Sequence, residues 1–234
     1  MDLTIVWTSL PDLVDGAWVT VQLTTLSVVL GLGLAVPLAL LRLARNPLLW
    51  MPVYGFVLYF RGTPLLVQIF LVYYGSGQFR EALDAVGLWV FFREAYFCAV
   101  LTLTLNTAAY TAENLRGAIL GVPHGEVEAA RAYGMSGALL ARRIVLPMAF
   151  RLALPAYTNE VVFLLQATSL VSIITLMDLT GVARVIVARS FEPYKIYIAA
   201  GLIYLAMSYV VIFVLRRVEA RVSGHLRDRP AAAR

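Results

Sequence analysis

Residues 122–147 read VPHGEVEAARAYGMSGALLARRIVLP and lie between two long apolar blocks of the chain. Pro123 suits the start of a helix, and Gly134 suits its end because glycine readily takes a positive φ. The residues between them are rich in Ala, Glu and Arg, which favour helix. A second short helical run follows, and we expect Pro147 to close it. The segment therefore predicts two short helices that meet at an angle.

The first of these helices has a low profile. Ala129, Ala130 and Ala132 keep one side of it small, and charged residues flank that side. Such a helix suits a close fit in a groove on another protein, where the flanking charges would fix its orientation. An ordinary helix-turn-helix at a membrane surface explains the same spacing, so the residues alone leave both interpretations open.

The rest of the chain is strongly apolar. Of its 234 residues, 61% are hydrophobic and 14% are charged. Soluble domains carry about 25% charged residues, and a water-soluble fold of this size cannot bury so much apolar surface. The apolar residues also come in long blocks, unlike the stripe of a helix with one wet face. The composition therefore predicts an all-α transmembrane protein.

Five apolar blocks are long enough for a helix to cross a bilayer core, which takes about 20 residues. The blocks cover residues 17–41, 50–74, 96–120, 152–177 and 196–215. No internal repeat is seen, so we expect residues 1–234 to form a single transmembrane domain. The segment before the first block is acidic and has no basic residue, unlike a cleaved signal peptide, so this block is expected to remain as an anchor.

The basic residues are unevenly divided between the two sides of the membrane. Segments 42–49, 116–151 and 216–234 hold 13 of the 19 Lys and Arg residues, and the segments on the other side hold five. Basic residues concentrate in cytoplasmic loops, so we expect the N-terminus outside and the C-terminus in the cytoplasm. The position of the loops relative to the membrane explains the excess of Lys and Arg, and no nucleic-acid motif is present. Nucleic acid is therefore not an expected partner.

Charged residues interrupt three of the blocks. Arg61, Glu113 and Glu160 each cost about 2.5–3.5 kcal/mol at the centre of a bilayer, so such side chains face the bundle interior or a water-filled path. Gly62 and Pro64 are expected to break the second span beside Arg61. Broken backbone in a membrane is buried in protein or lines a cavity. We place the break beside a translocation path, although a purely structural kink explains the same residues.

Glu160 is the residue to which we give a specific role. A buried carboxylate pairs well with an ammonium or guanidinium group. The hypothesis is that Glu160 binds the cationic end of a cargo, with Glu113 or Asn106 assisting. The alternative is that Glu160 pairs with Arg61 or Arg151 and only holds the bundle together.

Other polar residues complete the predicted path. Asn106, Tyr110 and Glu113 follow one another at steps of four and three, which places them on one helix face. The predicted path consists of Arg61, Gly62, Thr63, Asn106, Tyr110, Glu113, Asn159, Glu160, Gln166, Thr168 and Ser169.

The segment 122–147 resembles the EAA signature of ABC-importer permeases. The matching residues, at the spacing of the family, are Glu128, Ala129, Ala130, Gly134, Ile144, Leu146 and Pro147. Residues 61–68 (RGTPLLVQ), 106–113 (NTAAYTAE) and 154–160 (LPAYTNE) resemble motifs of the polar amino acid permeases. The chain is identified as a member of the histidine/lysine/arginine/ornithine and octopine/nopaline group of this family, of the M type.

The resemblance implies a five-helix core of the type I ABC importer (MetI-like) fold in the bacterial inner membrane. Two permease subunits would form the pathway, and the M-type resemblance favours a heterodimer. Two copies of an ABC ATPase would bind ATP and Mg on the cytoplasmic side, and a periplasmic amino-acid-binding protein would deliver the cargo. The coupling loop, about residues 121–150 here, would contact the ATPase through Glu128, Ala129, Ala130, Gly134, Ile144, Leu146 and Pro147.

The predicted function is a non-catalytic permease subunit that moves a polar, basic amino acid or opine inward. The chain has no Gly-x-x-x-x-Gly-Lys-Ser/Thr phosphate loop, no His-Glu-x-x-His metal motif and no Gly-x-Ser-x-Gly elbow. Gln166 stands where many relatives carry Lys, which favours a cationic cargo or leaves the site to the partner subunit. Glutamine, glutamate or cystine as cargo stays open.

Two other classes of protein fit less well. An ion-coupled secondary transporter would be expected to have more spans and internal repeats. A membrane enzyme would need a metal site or a carboxylate cluster, and the acidic residues here are scattered.

Overall fold

A computed structural model of the chain describes residues 4–222, and every regular element in that range is helical. The long helices are α1 (Thr4–Arg42), α2 (Pro47–Gly62), α3 (Leu65–Gln78), α6 (Ala95–Leu120), α9 (Leu146–Ala167) and α11 (Pro193–Val222). The shorter helices are α4 (Arg80–Ala85), α5 (Trp89–Phe92), α7 (His124–Ala132), α8 (Gly137–Leu140) and α10 (Leu179–Ser190). A π-helical turn, Ala141–Val145, precedes α9, and a 3₁₀ segment, Thr168–Ile174, continues it. The all-α prediction is confirmed for residues 4–222.

α6 lies at the centre of the bundle and packs against α1, α2, α3 and α9. The core has three parts. One is built on small residues such as Ala112 and Ala149, and a second is built on larger residues such as Ile69 and Leu103. The third joins α1 to α10 and α11 around Leu179.

α1 packs on α6 through a stripe of mostly small residues. The stripe recurs every three or four positions: Gly31, Ala35 and Ala39 face α6, whereas Gly16 and Thr20, further toward the N-terminus, contact the start of α10. A β carbon at Gly31 would clash with Cγ2 of Thr107 and would lie 3.3 Å from the backbone oxygen of Thr104. Small residues let helices approach closely, and van der Waals contact is a main attraction between helices in lipid.

The predicted spans coincide with helices, although their ends differ. Residues 96–120 correspond to α6 within one residue, and residues 196–215 lie inside α11. By length and composition, α1 and α11 can cross a membrane, and the number rises to four if each of two bent helix pairs is one span. α6 does not reach the same composition because Thr, Asn, Glu and Arg interrupt its apolar residues. The count of five spans therefore stays a prediction.

The prediction that Pro147 closes the second helix of the segment 122–147 is wrong. α8, the π turn, α9 and the 3₁₀ segment form one continuous run, and Pro147 lies in the first turn of α9. In the π turn the amide of Leu146 bonds to the carbonyl of Ala141, five residues earlier. Proline lacks an amide proton and crowds the preceding turn. We attribute the wider turn to this crowding.

Two segments between the predicted spans contain helices that the pattern does not predict. Segment 75–95 holds α4 and α5, and segment 177–195 holds α10. The carboxylate of Asp178 caps α10 by accepting from the amides of Thr180 at 3.2 Å and Gly181 at 2.9 Å. Tyr204 of α11 donates to the same carboxylate at 3.2 Å, which ties α10 to α11.

Some of the sequence predictions reach beyond residues 4–222. The single-domain prediction covers residues 1–234, and the charge count includes Arg227, Arg229 and Arg234. These residues lie outside the described range, as do residues 1–3.

Gly31→Ala is expected to lower the thermal unfolding midpoint of the purified protein, because the new methyl group must displace Thr107 or separate α1 from α6. Overpacking of this kind costs about 1–3 kcal/mol. Gly33→Ala is the matched control, since no atom lies within 4 Å of its new β carbon. The midpoint is read as loss of the monodisperse peak after heating in detergent. Equal midpoints for the two variants would contradict the close contact of α1 with α6.

Candidate functional site

The second predicted span is broken where the sequence indicates. α2 ends at Gly62, Thr63 is extended (φ −116°, ψ 146°), and Pro64 precedes the first turn of α3. The axes of α2 and α3 differ by 106°. Proline disfavours a helical conformation in the residue before it, so Thr63 cannot easily continue α2. The expected interruption at residues 61–64 is confirmed.

Gln68 satisfies the backbone that this break leaves unpaired. Its side-chain amide donates to the backbone oxygens of Phe60 at 2.9 Å and Thr63 at 3.0 Å, and its side-chain oxygen accepts from Asn106 at 2.8 Å. Gln68 is 1% exposed and Asn106 is 6% exposed. Irregular backbone within a membrane needs such internal partners. Gln68 therefore closes the end of α2 and fastens the break to α6.

This network changes the interpretation of two predicted path residues. The side chains of Asn106 and Thr63 are hydrogen-bonded to Gln68 inside the protein rather than free to contact a cargo. The sequence analysis gave Gln68 no role, although a glutamine four residues after a proline in an apolar block was a signal that could have been used.

A cavity of about 350 Å³ lies between α2 and α6. Its lining residues are Arg42, Tyr54, Val57, Leu58, Arg61, Gly62, Tyr110 and Glu113. The structure thus brings together four of the predicted path residues, Arg61, Gly62, Tyr110 and Glu113. The guanidinium of Arg61 lies 5.3 Å from the centre of the Tyr110 ring, a cation–π contact. We call this space the α2/α6 cavity.

Glu113 is held by two arginines on one wall of the α2/α6 cavity. Arg116, one turn further along α6, donates to one carboxylate oxygen from Nε at 2.9 Å and also from its second nitrogen. Nη2 of Arg42, at the end of α1, lies 3.6 Å from the other oxygen. Arg42 also lies over the Tyr54 ring at 4.8 Å. These contacts join α1, α2 and α6 at one end of the cavity, and the sequence analysis missed Arg42 and Arg116 because they sit at span ends.

Glu160 lies in α9 and is 9% exposed. The Thr107 side chain of α6 and the guanidinium of Arg61 are near enough to interact with its carboxyl group. Among residues 4–222, no ion pair within 4 Å joins Glu160 to Arg61 or Arg151. The alternative that Glu160 serves as half of a structural ion pair is therefore not supported.

The remaining predicted path residues lie elsewhere. Gln166 and Ser169 line a cavity of about 560 Å³ that is also bordered by α10 and α11. Asn159 lines another, of about 460 Å³, together with Arg216 of α11. Thr168 is fully buried and donates to the backbone oxygen of Leu165 at 2.8 Å. These four residues are not brought to the α2/α6 cavity.

Metal binding by side chains has no obvious place in the described part of the chain. Within residues 4–222, no three His, Cys, Asp or Glu side chains are grouped closely enough to hold a metal ion.

The segment 122–147, called the coupling segment after its predicted role, begins and ends its first helix as predicted. α7 follows Pro123, and Gly134 takes φ +81° just after it. The amide of Met135 bonds to the oxygen of Ala130 at 3.0 Å, and the amide of Gly134 bonds to the oxygen of Arg131 at 2.9 Å. This pair of bonds is the Schellman motif, which needs a left-handed residue where Gly134 stands.

α7 has one face on its own chain and one face free. Ala130 is 5% exposed, and Val127 packs against the alanine-rich part of the core. Glu128 and Ala129 are exposed, and Tyr133 beside them is 86% exposed. Of the predicted coupling residues, Ala130 therefore seats the helix, whereas Glu128 and Ala129 are presented outward.

The second half of the coupling segment runs directly into the bundle. Gly134 and Pro147 are exposed, and Ile144 and Leu146 are half-buried. The run from α8 to the end of α9 has no break, so one continuous helix joins the exposed end to Glu160.

Comparison with known proteins identifies similar chains. The family model described as "Binding-protein-dependent transport system inner membrane component" matches residues 27–224. The nopaline transport system permease protein NocM of Agrobacterium fabrum (strain C58) is 47% identical over 229 residues, which cover 98% of this chain and 95% of that protein. The histidine/lysine/arginine/ornithine transport system permease protein HisM of Escherichia coli (strain K12) is 45% identical over 212 residues, 91% of this chain and 89% of that protein.

A solved structure has the same fold. A chain in the crystal structure of an amino acid ABC transporter with histidines superimposes with a TM-score of 0.82 at 30% identity. The match covers 94% of this chain and 99% of that chain. The fold is therefore that of type I ABC importer permeases.

Gln68→Leu is expected to destabilise the protein, because the Thr63 oxygen loses a buried donor, and the Phe60 oxygen and the Asn106 amide keep only their mutual 3.3 Å hydrogen bond. Each such loss costs about 1–3 kcal/mol. Gln78→Leu is the control, since Gln78 is exposed at the end of α3. Thermal unfolding in detergent measures the difference. A Gln68→Leu protein as stable as the control would show that the break does not depend on this network.

Proposed function

Because the chain belongs to the family of binding-protein-dependent transport system inner membrane components, we propose that its α2/α6 cavity forms part of the route by which an ATP-driven importer moves a basic amino acid or opine inward. The chain is a transport permease subunit, as its relatives are, and not an enzyme. One observation carries the proposal. The cavity lies beside the break between α2 and α3, and its lining includes the predicted path residues Arg61, Gly62, Tyr110 and Glu113.

The coupling segment is proposed to bind the ATPase partner. Glu128 and Ala129 offer it an exposed helical face, and Gly134 sets the direction of the chain that follows. Ala130 holds α7 against the permease itself, which lets α7 move together with the bundle. Ile144, Leu146 and Pro147 form the joint to α9. ATP and Mg belong to the partner, and this chain is proposed to bind neither.

The cargo is proposed to be cationic. The relatives at 45–47% identity are named for nopaline and for histidine, lysine, arginine and ornithine, which share basic nitrogen groups. Glu160 supplies a carboxylate without an arginine at ion-pair distance, which suits it to receive such a group. Gln166 adds no positive charge to α9. Asn159 and Ser169 stay candidate path residues of the cavities beside α9, and Thr168 stays a candidate that is buried next to them.

The arrangement in the membrane follows from the charge distribution. We place the N-terminus outside and the C-terminus in the cytoplasm, with five spans in one domain of residues 1–234. The bias of Lys and Arg supports this orientation and puts the coupling segment on the cytoplasmic side. A second permease subunit, more readily a different chain than a copy, would complete the path. A periplasmic amino-acid-binding protein would deliver the cargo at the inner membrane of a bacterium.

Transport would proceed by alternating access. Closure of the ATPase dimer would move α7 and α8, and α9 would follow as one body. The cavity would then be presented to opposite sides of the membrane in turn, a shift between two states that the partner's ATP biases.

Glu128→Lys is expected to lower the ATPase activity stimulated by the binding protein about tenfold, the loss of roughly one charge-assisted hydrogen bond. Glu126→Lys, a change of the same charge on the same helix, is the control and should retain most activity. The measurement uses the complete importer in proteoliposomes, with co-purification of the ATPase recorded for each variant. Full activity and full ATPase recovery for Glu128→Lys would contradict the proposed coupling role.

Glu160→Gln is expected to reduce uptake of arginine far more than uptake of a neutral amino acid such as glutamine, because only the cationic cargo uses the carboxylate charge. The same proteoliposomes, loaded with ATP and given labelled amino acids, measure both. An equal loss for the two cargoes would assign Glu160 a structural role. Wild-type uptake of glutamine without arginine would favour the neutral or acidic cargo class instead.

A further inference from the structure

Arg61 stands apart from the other arginines at the α2/α6 cavity. Arg42 and Arg116 both contact the carboxylate of Glu113. Arg61 makes no hydrogen bond and no ion pair to any residue in the range 4–222, and its near neighbour is the Tyr110 ring. Its side chain is exposed on the cavity wall in the last turn of α2.

From this we infer that Arg61 binds the carboxylate of the cargo, while Glu160 takes its cationic group; the inference rests on the proposed function. A guanidinium within a membrane span is retained where it has a partner or a path to serve. A cation–π contact with Tyr110 orients the plane of the guanidinium but supplies no negative charge. Arg61 therefore lacks an anionic partner among residues 4–222, and the cargo would supply one.

The geometry favours a carboxylate as this anion. Arg61 lies near enough to Glu113 and Glu160 to act on both electrostatically, yet it is paired with neither. Glu113 is engaged by two other arginines, so the cavity keeps one guanidinium that is not neutralised. The guanidinium fork offers two parallel donors, which match the two oxygens of a carboxylate.

Two charges of opposite sign suit a cargo with separated charges. Arg61 lines the cavity at the break of α2, and Glu160, which does not line it, is buried on α9 near enough to interact electrostatically with Arg61. A basic amino acid or an opine carries a carboxylate at one end and a basic nitrogen group at the other. The volume of about 350 Å³ lies within the range of small-ligand pockets, roughly 300–1,000 Å³. Cargo that lacks the carboxylate should therefore bind without help from Arg61.

The test measures direct binding to the purified importer complex without its binding protein. Labelled arginine is competed with unlabelled arginine and with agmatine, which is arginine without the carboxylate. Wild type should prefer arginine to agmatine by about tenfold, as expected for one charge-assisted contact. Arg61→Gln should lose that preference while its affinity for agmatine stays unchanged. Arg61→Lys should recover part of the preference, since it keeps the charge and loses the fork.

Arg45→Gln is the matched control, because Arg45 is exposed in the turn between α1 and α2. An equal effect of Arg61→Gln on both ligands, or no effect on either, would overturn the inference. So would selective loss of the second permease subunit from the Arg61→Gln complex, which would assign the anion to that subunit. A wild-type complex that binds neither ligand would contradict the proposed function itself, a result visible before any Arg61 variant is made.

Discussion

The hydrogen bonds of Gln68 fix the geometry on which the candidate site depends. A break in a membrane span exposes backbone oxygens, and lipid offers them no donor. Gln68 reaches back to Phe60 and Thr63 and at the same time accepts from Asn106 on α6. One side chain thus permits the 106° bend and fastens it to the central helix. The bend in turn ends α2 where Arg61 can project into the α2/α6 cavity.

The continuity of α9 with the coupling segment has a mechanical consequence. Most helix junctions at a membrane surface are loops, which absorb displacement. Here the junction is a π turn inside one helix, so the exposed end and the part that carries Glu160 belong to the same helical run. The Schellman bonds around Gly134 likewise leave little freedom between α7 and α8. This continuity supports the proposed coupling role of the segment.

Local chemistry explains what the sequence analysis predicted well and where it failed. Gly62 and Pro64 restrict backbone torsions wherever they occur, so the break was predictable, as was the left-handed Gly134. The prediction that Pro147 ends a helix was wrong because a proline is equally well placed in the first turn of the next helix. The role of Arg42 depends on Glu113, far along the chain, and no local pattern indicates it, whereas the position of Gln68 four residues after Pro64 was a local signal that went unused.

Two arginines at the cavity, Arg42 and Arg116, contact Glu113, whereas Arg61 has no ion-pair partner among residues 4–222. Glu113, one of the residues expected to assist Glu160, is saturated on one oxygen by Arg116 and faces Arg42 with the other. The Arg42 contact, at 3.6 Å, is too long for a hydrogen bond, and Nε of Arg42 and the facing Glu113 oxygen have no hydrogen-bond partner among residues 4–222. Buried charged atoms left in this way favour separation if water or another partner can reach them. The Arg42–Glu113 contact is thus a weak link between the end of α1 and α6, although the same two helices pack closely at Gly31.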